Sequence, residues 1–145
     1  MFAWIRAWFA DRRKPDDTGS AGERHAAAWL EREKRFHIVA RNWRAPHDHR
    51  LEIDLVGRAG EALVFVEVKA RAAGALVPGY FAAVTKRKKK ALLRATRAYV
   101  AQLRARPHTI RFDVVEVVRD ADGRPGEVLH FENVPLFSKA YLRGH

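Results

Sequence analysis

Apolar and polar residues alternate along two neighbouring stretches in the middle of the chain, Leu51-Glu52-Ile53-Asp54-Leu55 and Phe65-Val66-Glu67-Val68-Lys69. A period of two places every second side chain on one face of a strand, so Glu52 shares a face with Asp54, and Glu67 with Lys69. Gly60-Glu61 lies between the stretches with Gly first, as a type II′ two-residue hairpin loop requires. That turn sets Asp54 opposite Glu67 and Glu52 opposite Lys69; a one-residue slip would set Asp54 opposite Val66 and take the carboxylates apart. The same patterning predicts a helix over 22–34, strands over 37–43, 51–57 and 62–69, a helix over 84–104, and strands over 109–118 and 128–133. Asp122-Gly123 is a turn signal between the last two. In the second helix Leu92, Thr96, Tyr99, Val100 and Leu103 form an apolar stripe. Val64, Val66 and Val68 line one face of their strand while Phe65 shares the other with Glu67, which predicts a strand covered on both sides. The order of helix, three strands, helix and two strands predicts an α/β architecture, a central mixed β-sheet flanked by helices.

Charge inside a covered sheet needs a reason. Directly opposed Cβ atoms are roughly 4.5–5.5 Å apart, so Asp54 and Glu67 repel unless a cation lies between them. Mg²⁺ and Mn²⁺ take oxygen ligands, commonly one or two carboxylates with water and substrate phosphate. Asp54 and Glu67 are the expected ligands, and the carbonyl of Val68 is a further oxygen. Lys69, one step further on the same strand face, is placed to orient an attacking water or to offset charge as a phosphodiester is cut. The rival reading makes Glu52–Lys69 and Glu67–Lys69 ordinary ion pairs on a solvated face.

Composition narrows the class. A chain of 145 residues with 48% hydrophobic content suits one domain. With no cysteine, neither a disulfide framework nor a thiolate metal site is available. No apolar run reaches the ~18 residues of a membrane span. Residues 1–9 carry Phe2, Trp4, Trp8 and Phe9 without a basic start or a cleavage site, so a cytoplasmic protein is expected. Residues 1–18 read as a short aromatic helix with a polar linker, and 138–145 as a tail. A peripheral membrane anchor is the rival use of the aromatic segment.

The net charge of +11 is concentrated. From Val68 to Phe112 there are twelve Lys or Arg and no Asp or Glu, while the remainder holds sixteen basic and seventeen acidic residues. The excess centres on Lys86, Arg87, Lys88, Lys89 and Lys90, with Arg94 one turn on, and Arg71 extends the track from Lys69. A helix starting near Val84 sets these lysines at the positive end of its own dipole, where cations are disfavoured unless phosphate binds there. Lys86, Arg87, Lys89, Lys90, Arg94 and Arg71 are therefore the expected nucleic-acid contacts, with steep salt dependence and little sequence readout. A plain solvated basic face is the alternative. His47-Asp48-His49 fits no zinc spacing and reads as a surface turn. Arg111 and Asp113 read as a structural ion pair, and Trp43 and Tyr80 as core or rim aromatics before base-stacking platforms. A nucleoside-triphosphate enzyme is excluded by the absence of a glycine-rich phosphate loop.

The blocks Glu52-Ile53-Asp54-Leu55 and Phe65-Val66-Glu67-Val68-Lys69-Ala70-Arg71, together with Gly22-Glu23 followed by Ala26 and Leu30, Arg41-Asn42-Trp43-Arg44, and Arg111-Phe112-Asp113, resemble in their order the YraN-like family of uncharacterised bacterial proteins. That family lies within the PD-(D/E)XK nuclease superfamily, which includes archaeal Holliday-junction resolvases. The resemblance spans about residues 19–137. It implies a restriction-endonuclease-like fold and a Mg²⁺- or Mn²⁺-dependent endonuclease acting on DNA, while the residues by themselves do not separate DNA from RNA. By analogy with resolvases it implies branched or structured DNA, a homodimer and a location near the nucleoid. It implies catalytic roles for Asp54, Glu67, Lys69 and Glu23, with Glu52 behind them. Leu51 stands where the family usually has glycine, a bulkier group at the approach to the site. Glu23 keeps two readings: Ser20 and Glu23 form a capping box, and Glu23 also falls on the apolar stripe with Ala26, Ala27 and Leu30. The alternative for the whole protein is a nucleic-acid-binding module that retains the fold without cutting.

Overall fold

The structure is a computed structural model that describes residues 21–74 and 85–136. Among these residues two helices, α1 (Ala21–Lys34) and α2 (Lys86–Ala101), flank a sheet of β1 (His37–Ala45), β2 (Asp48–Ala59), β3 (Ala62–Ala72), β4 (Thr109–Arg119) and β5 (Pro125–Phe131). The order is the predicted one, an α/β fold consistent with a restriction-endonuclease-like arrangement. The aromatic segment, Ser20, Tyr80 and the C-terminal tail lie outside the described residues.

The strands stand in sequence order across the sheet. Local hairpins make β1–β2, β2–β3 and β4–β5 antiparallel, and α2 bridges β3 to β4, which pair in parallel from Ala62↔Thr109 to Ala72↔Arg119. A crossover is what parallel neighbours need, since a tight turn can only reverse the chain. The predicted hairpin register holds: Ala59 pairs with Ala62, Gly57 with Val64 and Leu55 with Val66. Gly60 has φ 60, the positive value that the first position of a type II′ turn demands. The second turn closes where Asp122-Gly123 signalled it, with Gly123 at φ 78 and the Asp120 carboxylate accepting the backbone N–H groups of Asp122 and Arg124.

Each sheet face has its own core. On one, Ala26, Ala27 and Leu30 of α1 pack with Phe36, Leu55, Val64, Val66, Val115 and Val117. On the other, Leu92, Ala95, Tyr99 and Val100 of α2 pack with Trp43, Ile53, Val56, Phe65, Phe112 and Val114. Strand β3 is therefore buried continuously from Leu63 to Glu67, the mark of a strand covered on both faces. Trp43 is a core residue, edge-on to Tyr99 at 5.2 Å between ring centroids. No helix among the described residues is long and apolar enough to cross a membrane.

Candidate functional site

Ladder pairing between β2 and β3 ends at Leu55↔Val66, so the two strands diverge immediately before Asp54 and after Val66. Core membership shows why. Leu51 and Ile53 pack into the α2-side core with Trp43, whereas Leu55 packs into the opposite one. Strict alternation would keep all three on one face. The strand thus rotates about Asp54, beside Asn42 of β1, whose backbone is left-handed at φ 48 between the pairs Arg41↔Leu55 and Trp43↔Ile53. Rotation turns the Asp54 side chain toward the gap, where one carboxylate oxygen accepts the Val68 backbone N–H at 2.8 Å. An extended residue points its N–H and C=O to the same side, so the Val68 carbonyl faces this gap too.

Glu67, only 6% exposed, is hydrogen-bonded to Asp54, so the two predicted carboxylates do meet. Burial, then the charge of Asp54, pushes Glu67 up to about 8. Burial also raises Asp54, although the Val68 N–H and Glu67 pull against it. Together the two carboxyls therefore resist full ionisation. A third group completes the arrangement: the Lys88 ammonium lies 3.0 Å from Glu67 Oε1. Burial works against charge on Lys88, but Glu67 and Asp54 outweigh it and raise its pKa.

Lys88 comes from the first turn of α2. Thr85 caps that helix, its hydroxyl accepting the Lys88 backbone N–H at 3.2 Å, and the first turn has no acid. Composition treats Lys86 to Lys90 as one run; Thr85 as N-cap is the signal that singles out Lys88, because it fixes the third helical position. Lys86, Arg87, Lys90 and Arg94 are exposed along α2 and Lys89 is partly covered.

Other expected partnerships differ. Glu52 pairs with Arg44 of β1 at 3.6 Å, not with Lys69, because β2 has already left β3 at that point. Lys69 is exposed, on the same strand face as buried Glu67. Arg71, expected on the phosphate track, donates to Glu116 at 3.1 Å; Glu116 is 1% exposed, so Arg71 neutralises a buried acid instead. Leu51 is in the core, so its bulk fills the interior and does not narrow the gap. Of His47-Asp48-His49 only His47 lies in the turn; Asp48, engaged by Arg50, and His49 already belong to β2. Asp113, fully buried, takes both Arg111 nitrogens at 2.8 and 2.9 Å, His130 Nε2 at 2.7 Å and the Asn133 N–H at 3.0 Å. That network ties β4 to β5 and the chain beyond, a structural role.

Glu23 is half-buried in the first turn of α1. Among the described residues no three His, Asp or Glu side chains gather closely enough to hold a metal ion. Asp54 and Glu67 therefore offer a two-carboxylate site with the Val68 carbonyl beside it. The donor chemistry is of the kind Mg²⁺ or Mn²⁺ takes, two carboxyl groups and a carbonyl oxygen, with water or phosphate as the further ligands such ions use.

The model of UPF0102, an uncharacterised protein family, matches residues 22–117, a span that contains Glu23, Asp54, Glu67, Lys69 and all of α2. A UPF0102 protein of Beutenbergia cavernae is 45% identical over 112 residues, 77% of this chain and 90% of that one. One from Chlorobaculum tepidum is 45% identical over 105 residues, 72% of this chain and 77% of the relative. One from Geobacter metallireducens is 37% identical over 124 residues, 85% and 93% of the two chains. These names give a family and no activity.

Proposed function

The chain belongs to the UPF0102 family, and we propose that it is a nucleic-acid-binding, Mg²⁺- or Mn²⁺-dependent endonuclease of the PD-(D/E)XK type, acting on DNA. The observation that carries this reading is the pair of hydrogen-bonded, mostly buried carboxyls, Asp54 and Glu67, in the gap where β2 leaves β3. Two acids held together in low dielectric cost stability through their desolvation, and a bound cation would offset that cost. Asp54, Glu67 and the Val68 carbonyl would hold the ion. When bound, it supplies Lewis-acid polarisation of a phosphate oxygen and acidifies water. Lys69, on the Glu67 face and exposed, orients the attacking water, while Lys86, Arg87, Lys89, Lys90 and Arg94 hold the phosphate backbone. Arg71 serves this surface indirectly, by neutralising Glu116.

A second reading is a module that binds nucleic acid without cutting. The observation in its favour is that the Lys88 ammonium already occupies Glu67, 3.0 Å from Oε1. Mn²⁺ calorimetry and cleavage of duplex and four-way-junction DNA by wild type and Asp54→Asn separate the two. The nuclease reading expects Mn²⁺ binding and cutting that Asp54→Asn abolishes while DNA binding persists. Wild type that binds DNA but neither binds Mn²⁺ nor cuts would overturn it in favour of the module.

A further inference from the structure

We propose that Lys88 is a built-in counter-ion that competes with the divalent cation for Glu67 and, once displaced, joins the phosphate-binding surface of α2. This rests on the metal-site reading above and adds to it a regulation of cation loading. The Lys88 ammonium sits 3.0 Å from Glu67 Oε1, in the position of a cation serving the carboxyl pair. Its side chain is 46% exposed while that of Glu67 is 8% exposed, so the amine reaches inward to the acid on a stem that solvent already touches. Its backbone is pinned by the Thr85 cap, so only the flexible methylene stem has to move. Lys86 and Arg87 precede it and Lys89 and Lys90 follow it in the first turn and a half of a helix that has no acid in its first turn. A withdrawn ammonium there is surrounded by like charge at the positive helix end, which makes that state unfavourable until an anion arrives. Phosphate relieves it. Nucleic acid therefore favours withdrawal of Lys88, withdrawal uncovers Glu67, and cation and nucleic acid bind with positive coupling, each strengthening the other.

The test is Mn²⁺ affinity of the full chain, with and without a non-cleavable phosphorothioate duplex, for wild type, Lys88→Met and Lys88→Arg. Lys88→Met keeps stem length and packing but removes the cation, so it should bind Mn²⁺ about tenfold tighter in the absence of DNA, the scale of one partly exposed ion pair. DNA should tighten Mn²⁺ binding in wild type and have a much smaller effect in Lys88→Met, with Lys88→Arg behaving like wild type. In parallel, NMR of ¹⁵N-labelled lysine in wild type should show the Lys88 ammonium resonance moving toward that of a free lysine as Mg²⁺ is added. Wild type and Lys88→Met binding Mn²⁺ equally well would overturn the counter-ion role while leaving the metal site intact. No Mn²⁺ binding by either protein, with or without DNA, would sink the metal reading and this inference together.

Discussion

Glu67 gives up its proton at a higher pH in the folded protein than in the unfolded chain. Its folded value is about 8, against about 4.3 for a free glutamate. Between those values the folded state binds the extra proton, so stability without metal falls as pH rises through that window. Glu67→Gln should flatten the fall, read as urea midpoints at about pH 5 and about pH 8.5. Because metal ligation needs the deprotonated acid, saturating Mn²⁺ should stabilise wild type most at the alkaline end. Asp113 behaves oppositely. Burial raises it, but His130, Arg111 and the Asn133 N–H together hold it below the ordinary carboxylate value, so its contribution is present above about pH 4 and is lost as pH falls through its lowered pKa. Asp113→Asn leaves Arg111 facing a neutral group and should cost on the order of 3 kcal/mol in denaturant unfolding, without moving Mn²⁺ affinity. At this scale the chemistry was legible in part. Alternation and one glycine brought Asp54 to Glu67. The partner of Glu52 was not legible, because it depends on where β2 leaves β3, and that divergence follows from Leu51 and Ile53 packing beside Trp43 while Leu55 packs on the other side.

Among the elements, the β2–β3 hairpin and α2 show how far local rules reach. Gly60 at φ 60 is the residue that sets the register, so Gly60→Ala should destabilise by about 1 kcal/mol or more and broaden the NMR signals of the hairpin. The closed end of that hairpin was readable from turn chemistry alone, and its open end, where β2 leaves β3, was not. Helix α2 starts at Lys86, two residues later than its apolar pattern suggested, because Thr85 supplies a cap. Capping favours this start and the first-turn lysines oppose it through the dipole. Lys86→Glu should therefore raise thermal stability by up to about 1 kcal/mol and weaken duplex binding in the same protein. A variant that gains stability and keeps its DNA affinity would show that the basic turn is only a solvated face.

For the whole molecule, charge and topology are separable. The twelve Lys or Arg without an acid from Val68 to Phe112 give this segment of the chain an excess of positive charge that the nearly neutral remainder does not balance. If about five of them meet phosphates, the logarithm of DNA affinity should fall against the logarithm of salt with a slope of about −4 to −5, and fluorescence anisotropy between low and moderate salt measures it. A slope near zero would remove nucleic acid from the account. The topology has a kinetic consequence. Three of the four strand pairings close between chain neighbours, but β3 and β4 meet only after α2 has folded back across the sheet. Hairpins close in microseconds and non-local pairings later, since loop entropy is lost before contacts compensate it. Asp54 and Glu67 belong to the early hairpin, whereas Lys88 arrives with the late crossover. The Lys88–Glu67 contact can close only once α2 has crossed the sheet, so in refolding it should form later than the β2–β3 hairpin.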